Sequence, residues 1–406
     1  METSSFLTSY CNYSNGTDSS HDAYYLLLKL NNQKALRDLP VIMFLVILMV
    51  VGISGNIVVC IIYSKAKKNS TSDLFILNLA VLDLLSCTFG IPLEIADLSL
   101  PYMFNAPAVC SFGRTLESCT VMASVLTLVF ISIDRYKRIC NLGESFKTST
   151  VKIMCVVGLC IGTVSSLPFL VVMGKRTINL GLSGIEGVGC EISDDMKHTT
   201  FTFAFYTVML IFFTVGLVFV IFVYARISIF LRRTRSMRIR HIEESNNSNK
   251  TSTTGTQQIH LVELESITVE SRHQSSTDNH HQEAVHALSR ETPITSGVKV
   301  TRTTTIFVAI TIAFIFSFLP FLLVMILLST IKDIEKGMSE PMMVFTEFCA
   351  RTYFLNNAIN PLIYSALNRK FRHDVKRLFS TNCCMRCFNH VCTSETPSNV
   401  YQVNMH

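Results

Sequence analysis

A chain of 406 residues that is 49% hydrophobic, only 16% charged and has a mean hydropathy of +0.39 is too apolar for an ordinary soluble domain. Its net charge of +6 comes from lysines and arginines crowded into alternate connections, a placement that argues against a nucleic-acid interface. The 14 cysteines lack repeated CxxC spacing, which argues against a zinc module; Cys384 and Cys387 form an isolated pair in the tail.

Residues 1–39 are polar and carry Asn-x-Ser/Thr sequons at Asn12 and Asn15, glycosylation candidates if this end is extracellular. The apolar patch 24–30 lacks a small-residue cleavage site, so the first long segment is expected to act as its own signal anchor. That segment is 40–63, with Gly55-Asn56 inside it and Lys65, Lys67 and Lys68 directly after it. A second span, 74–96, holds Asn78 and Asp83, and Pro92 should kink its far end. The third, 110–138, begins at Cys110, carries Glu117 and ends in Asp134-Arg135-Tyr136. From Cys110 to Arg135 it measures about 37 Å as a helix, enough to cross a bilayer core of about 30 Å. The fourth span is 151–173 and the fifth 201–231, which runs into Arg232, Arg233, Arg235, Arg238 and Arg240. The sixth, 301–328, contains Pro320; the seventh, 342–365, contains Pro361.

The basic clusters all fall on one side of this arrangement, which predicts an extracellular amino terminus and a cytoplasmic carboxyl terminus. Residues 241–297 are rich in Ser, Thr, Asn, Gln and His and are expected to form a disordered cytoplasmic loop. In 368–380, Phe371, Val375, Leu378 and Phe379 share one helical face opposite basic residues, predicting an amphipathic eighth helix on the inner leaflet. Cys383 and Cys384 follow as palmitoylation candidates. The expected fold class is therefore an all-α membrane protein: a tail 1–39, a bundle of seven spans over 40–366, and a helix and tail over 367–406.

Asn56, Leu79-Ala80-x-x-Asp83, Cys110, Asp134-Arg135-Tyr136, Phe314 with Pro320, and Asn360-Pro361-x-x-Tyr364 occur in this order, each in its own span. The set resembles the rhodopsin-like (class A) G-protein-coupled receptors. The resemblance implies a cell-surface receptor that answers an extracellular agonist by activating a heterotrimeric G protein. It gives Arg135 contact with the G protein and Asp134 the restraint of Arg135 at rest, and it has Tyr224 and Tyr364 swinging inward on activation. It also implies a disulfide between Cys110 and Cys190. Around Asp83 it places Asn56, Ser124, Asn356 and Asn360, an oxygen set that could hold a sodium ion or form a hydrogen-bonded polar plug. An ionised carboxylate at that depth costs on the order of 3 kcal/mol or more unless partnered.

Several departures stand out. The chain has no tryptophan: Gly158 replaces one in the fourth span, and Phe318 occupies the aromatic switch beside Pro320. Gly216 stands where the fifth span often has proline, and Leu142 where the second cytoplasmic loop often has one. The sixth span begins Val298-Lys299-Val300, without the acid that often adds a second restraint on Arg135, so raised basal activity is expected.

The ligand is read from the outer ends. Glu117 lies about 10 Å along the helix from Cys110 and shares a face with Val121, Ser124 and Leu128. Glu94, Asp97 and Glu347 add acids, so a cationic ligand group is expected; Phe318 completes the candidate pocket. Internal pairing is the alternative. Arg351 follows Glu347 in the favourable i,i+4 order and could also reach Glu117. Segments 175–180 and 188–193, joined by a Gly-rich turn, predict a hairpin. In the resembled family such a hairpin accompanies peptide agonists, here with a basic or amidated end; amine and lipid agonists are alternatives. The seventh span contains no lysine for a retinal Schiff base. A transporter would need two matching halves, and an enzyme a nucleophile or metal constellation within the spans; neither pattern is present. Serines and threonines in 245–305 are possible receptor-kinase targets for arrestin recruitment.

Overall fold

The computed structural model describes residues 19–65, 70–140, 145–181, 185–251, 294–330 and 337–392. They divide into two compact units, Met1–Tyr224 with Arg302–His406, and Ala225–Thr301. Among the described residues, six helices are long and apolar enough to cross a membrane. Helix is the economical answer for such segments, because every backbone group is satisfied within the segment itself.

Part of the expected tail is ordered. Helix α1 (Ser19–Arg37) precedes α2 (Leu39–Ser64) by a single residue. The Asn31 amide donates to the Ser99 carbonyl at 3.2 Å and accepts from the Tyr102 N–H at 3.2 Å, docking α1 on the end of the second span. Helix α3 (Thr71–Leu85) starts in a capping box in which Ser70 and Asp73 satisfy each other's backbone N–H groups. The distortion expected at Pro92 is a π-turn, Ser86–Gly90, followed by α4 (Ile91–Ser99). Proline has no N–H and its ring crowds the carbonyl four residues earlier, so the hydrogen-bond register slips before it.

Helix α5 (Pro107–Cys140) is the axis of the bundle: 61% of its apolar window is buried, against 22–28% for the first, fourth, fifth and sixth spans. The fourth span is α6 (Thr148–Ser166) with a short α7 (Phe169–Val172). Gly158 and Gly162 seat α6 on α5. A Cβ at Gly162 would lie 3.0 Å from the Ala123 nitrogen and the Cys119 carbonyl, and one at Gly158 would lie 3.3 Å from the Phe130 ring. The absent tryptophan at position 158 is thus replaced by a small-xxx-small contact, which lets two backbones approach in a solvent that offers no hydrophobic drive. Buried polar pairs add interhelical bonds: Asn78 Nδ2 to Thr127 Oγ1 at 2.9 Å and Ser166 Oγ to Ser118 Oγ at 2.9 Å.

Between α7 and the fifth span lies the expected hairpin, β1 (Met173–Asn179) antiparallel to β2 (Glu186–Ile192), shifted by one or two residues from the sequence reading. Gly181 adopts φ +71°, a left-handed turn conformation that favours glycine. The loop 101–105 extends the sheet through Phe104 N–H to Val188 O and Val188 N–H to Tyr102 O, both 2.8 Å.

Helix α8 (Thr200–Thr251) overruns the expected end of the fifth span by many residues, since no Gly or Pro interrupts the chain between Gly216 and Gly255. The expected disordered loop 241–297 is therefore helical in backbone up to Thr251 and again from Ile294; residues 252–293 lie outside the described ones. Helix α9 (Ile294–Thr330) contains Pro320. The expected seventh span is two helices, α10 (Glu340–Ala350) and α11 (Leu355–Leu367), joined through a 3-10 turn, Thr352–Phe354. Helix α12 (Arg369–Cys392) follows, with Phe371 buried against the Tyr63 and Tyr364 rings at 6.2 and 6.1 Å.

Candidate functional site

The third-span helix α5 carries three constellations from end to end. At its start, Cys110 is disulfide-bonded to Cys190, so the hairpin is tied down over the bundle. Cys349 is a buried free thiol. At the loop's edge the Asp194 carboxylate accepts the Thr177 N–H at 3.0 and 3.2 Å, and these bonds hold its carboxyl below the usual range.

Beneath the disulfide lies a network of four carboxylates and two guanidiniums. Arg114 is at its centre: Nη1 contacts Glu94 Oε1 and, at 3.3 Å, Glu117 Oε2, while Nη2 reaches Asp97 Oδ2 at 2.9 Å. Arg351 Nε reaches Glu94 Oε2 at 2.9 Å and its Nη1 pairs with Glu347. Glu94, 2% exposed, therefore bridges both arginines. The internal pairing expected for Arg351 is present towards Glu347 but not Glu117. Glu117 instead takes Arg114 and, on its other oxygen, the Tyr353 hydroxyl. Arg351 cannot serve both, because the 3-10 turn aims it at Glu94 and delivers Tyr353 to Glu117. Val121, one turn beyond Glu117, is half-buried.

Arg114 and Tyr353 were not singled out from the sequence. Arg114 lies three residues before Glu117, an i,i+3 ion-pair spacing that would have flagged it. Nothing local would have flagged Tyr353, whose position depends on the break in the seventh segment.

The Tyr353 ring begins an aromatic chain running down the bundle. It lies 5.8 Å from Phe318; Phe318 stacks on Phe314 at 4.4 Å, and Phe213 touches both at 5.0 and 5.8 Å. Phe318 is thus enclosed by aromatic partners two residues before Pro320.

Midway along the bundle, Asp83 is fully buried and accepts from Asn360 Nδ2 at 2.8 Å. Asn56 turns away from it, donating to the carbonyls of Gly52 at 3.0 Å and Asn357 at 2.8 Å. Asn357, missed in the sequence, donates to Ser86 Oγ in the π-turn at 2.7 Å. Ser124 is buried. Among the described residues, Asp83 Oδ1, Asn356 Oδ1 and Asn360 Oδ1 are buried acceptors without a hydrogen-bond partner. Unmet oxygens of this kind suit a hard cation.

At the far end, Arg135 is 1% exposed and paired with Asp134. The same guanidinium nitrogen donates to Ser72 Oγ at 2.8 Å, and the group lies over the Phe307 ring at 5.1 Å. Arg138 is spent on Thr71 Oγ1 at 2.7 Å. Tyr136 is half-buried; Tyr224 and Tyr364 are buried, the latter three residues after Pro361. Asn12 and Asn15 lie outside the described residues, as do the side chains of Cys383 and Cys384.

A disulfide-anchored hairpin above a charged basin, a buried mid-bundle acid and a capped arginine, all strung on one helix, define a transmembrane signalling receptor. Residues 55–364 match the family described as 7 transmembrane receptor (rhodopsin family), and the chain belongs to that family. It is similar to mouse neuromedin-U receptor 2, 22% identical over 85% of this chain and 76% of that one. It is also similar to mouse neuropeptide FF receptor 2, 24% identical over 80% of this chain and 69% of that one. Rat trace amine-associated receptor 8b is 24% identical over 82% of this chain and 83% of that one.

Proposed function

We propose that this rhodopsin-family receptor resides in the plasma membrane, amino terminus outside, and binds an extracellular peptide with a basic group. Its activated form then drives nucleotide exchange on a heterotrimeric G protein. The observation that carries the ligand reading is the imbalance of the outer basin: among the described residues Glu94, Asp97, Glu117 and Glu347 are ion-paired with Arg114 and Arg351, while Lys34 lies near Asp97 and Arg37 is engaged by Asp38, so the carboxylates still outnumber the cations and leave capacity for incoming positive charge. A hairpin tied back by Cys110–Cys190 supports a peptide-sized entrance, as does the likeness to the mouse neuromedin-U and neuropeptide FF receptors. The likeness to a trace amine-associated receptor, together with Glu117 inside the bundle, favours a small amine as second reading. Helices α10 and α11 make the seventh passage, α12 lies on the inner leaflet as the amphipathic eighth helix with Cys383 and Cys384 as its lipid anchors, and Asn12 and Asn15 carry glycans. In this reading Arg135 engages the G protein once Asp134 releases it. Phosphorylation of Ser and Thr in 245–305 by a receptor kinase recruits arrestin. Asp83, Ser124, Asn356 and Asn360 are the residues that would hold a sodium ion, whose positive charge would offset the buried carboxylate at rest.

A library of basic and amidated peptides, with a parallel set of biogenic amines and lysolipids, screened on the expressed receptor by calcium and cyclic AMP together, tests the ligand class. A peptide agonist whose potency falls on Glu117→Gln supports the reading; agonism by amines alone overturns it in favour of the second.

A further inference from the structure

Among the described residues, α9 presents an aromatic face to Arg135. The guanidinium carbon lies 5.1 Å from the centroid of Phe307, and the two side chains are 1% and 0% exposed. The other partners of that guanidinium, Asp134 and Ser72, sit on α5 and α3. Neither can hold α9 in place. In sequence, the segment Val298-Lys299-Val300 carries no acid that could add a second restraint on Arg135. We propose that the π face of Phe307 is the restraint that joins Arg135 to α9 in the resting receptor, a cation–π contact in the role of an ion pair. The chemistry fits the setting. A ring's negative face attracts a guanidinium most strongly where water is excluded, and both groups are buried here. The contact is also directional and easily released, because the ring needs only to tilt or withdraw with α9 to expose the charge. Phe307 is thus a positioning residue: it acts on the G protein only through Arg135. The proposal rests on the reading of Arg135 as the coupling residue, and it replaces the expectation of high basal activity with that of a restrained receptor.

The test separates the ring's electrostatics from its shape. Phenylalanine at 307 is replaced by its 4-fluoro, 3,5-difluoro and 3,4,5-trifluoro analogues, which drain the π face with little change of volume. Agonist-free nucleotide loading on a panel of heterotrimers is measured in membranes and normalised to surface receptor. Basal loading should climb stepwise, by about tenfold at the trifluoro analogue, with Phe307→Leu at least as high. A flat fluorine series beside an active Phe307→Leu overturns the proposal, because packing alone then holds the helix. A second readout needs no G protein: the fluorine resonance of the 4-fluoro analogue should shift when Arg135→Leu removes the charge, and an unmoved resonance also overturns it. If no heterotrimer responds to any variant but the resonance moves, the contact stands and the G-protein reading fails, so the two failures are distinguishable.

Discussion

The two ends of α5 carry the same chemistry, guanidinium on carboxylate, in opposite proportions. Among the described residues, four carboxylates near Cys110 are paired with two arginines, while at the far end Arg135 meets a carboxylate, a hydroxyl and a ring. A surplus of acceptors spreads each arginine over several partners, so that in the proposed reading an incoming cation could displace one without stranding a charge. With fewer acceptors, Arg135 draws its partners from three different helices, so a shift of one helix removes one of its contacts. Between the two, the Asp83 cluster has unmet oxygens and no arginine, which suits a mobile ion better than a fixed partner.

Removing the centre of the surplus should cost most. Arg114→Gln leaves Glu94 and Glu117 buried with one cation fewer, and should destabilise the receptor by about 4 kcal/mol in thermal unfolding. Adding Glu94→Gln should recover part of the loss, and an additive double mutant would show that the network is not coupled. Cutting the tether comes next: Cys190→Ser should cost about 3 kcal/mol and lower surface expression, while leaving Asp134–Arg135 unaffected. The middle of the bundle sharpens the contrast. Sodium should lower agonist affinity about tenfold in the wild type and have no effect in Asp83→Asn, a coupling of ordinary allosteric size. Equal sodium sensitivity in both would remove the ion site.

The smallest effect is at the hairpin edge. Asp194 has a depressed pKa, so its contribution is complete above the ordinary aspartate value near about 4 and is lost as pH falls through the lower, native one. Amide exchange of Thr177 should therefore be protected alike from neutral pH down to about 4 and loosen only in stronger acid. Breaking the exposed Arg176–Glu191 pair on the same hairpin should change stability by less than about 1 kcal/mol.

The legible parts of the sequence were those whose chemistry is local. Asp134-Arg135 adjoin in sequence and in space, and long apolar runs declared six of the helices. The hairpin was found from its glycines and alternation, to within two residues. What the sequence hid depends on breaks in helices. The 3-10 turn at Thr352–Phe354 rotates Tyr353 rather than Arg351 towards Glu117, and the π-turn at Ser86–Gly90 presents Ser86 to Asn357. A uniform 3.6-residue period assigns those side chains to the wrong neighbours. Phe307 was hidden differently: an aromatic residue inside an apolar run looks like core until an arginine is seen against its face.

The most direct test of the central claim is nucleotide exchange on a heterotrimeric G protein by the receptor in lipid nanodiscs, with and without a basic peptide hit. It should compare wild type with Arg135→Ala, with peptide binding measured alongside. Peptide-stimulated exchange should be present in the wild type and fall to the receptor-free background in Arg135→Ala, while the peptide still binds. Undiminished exchange in Arg135→Ala would contradict the account.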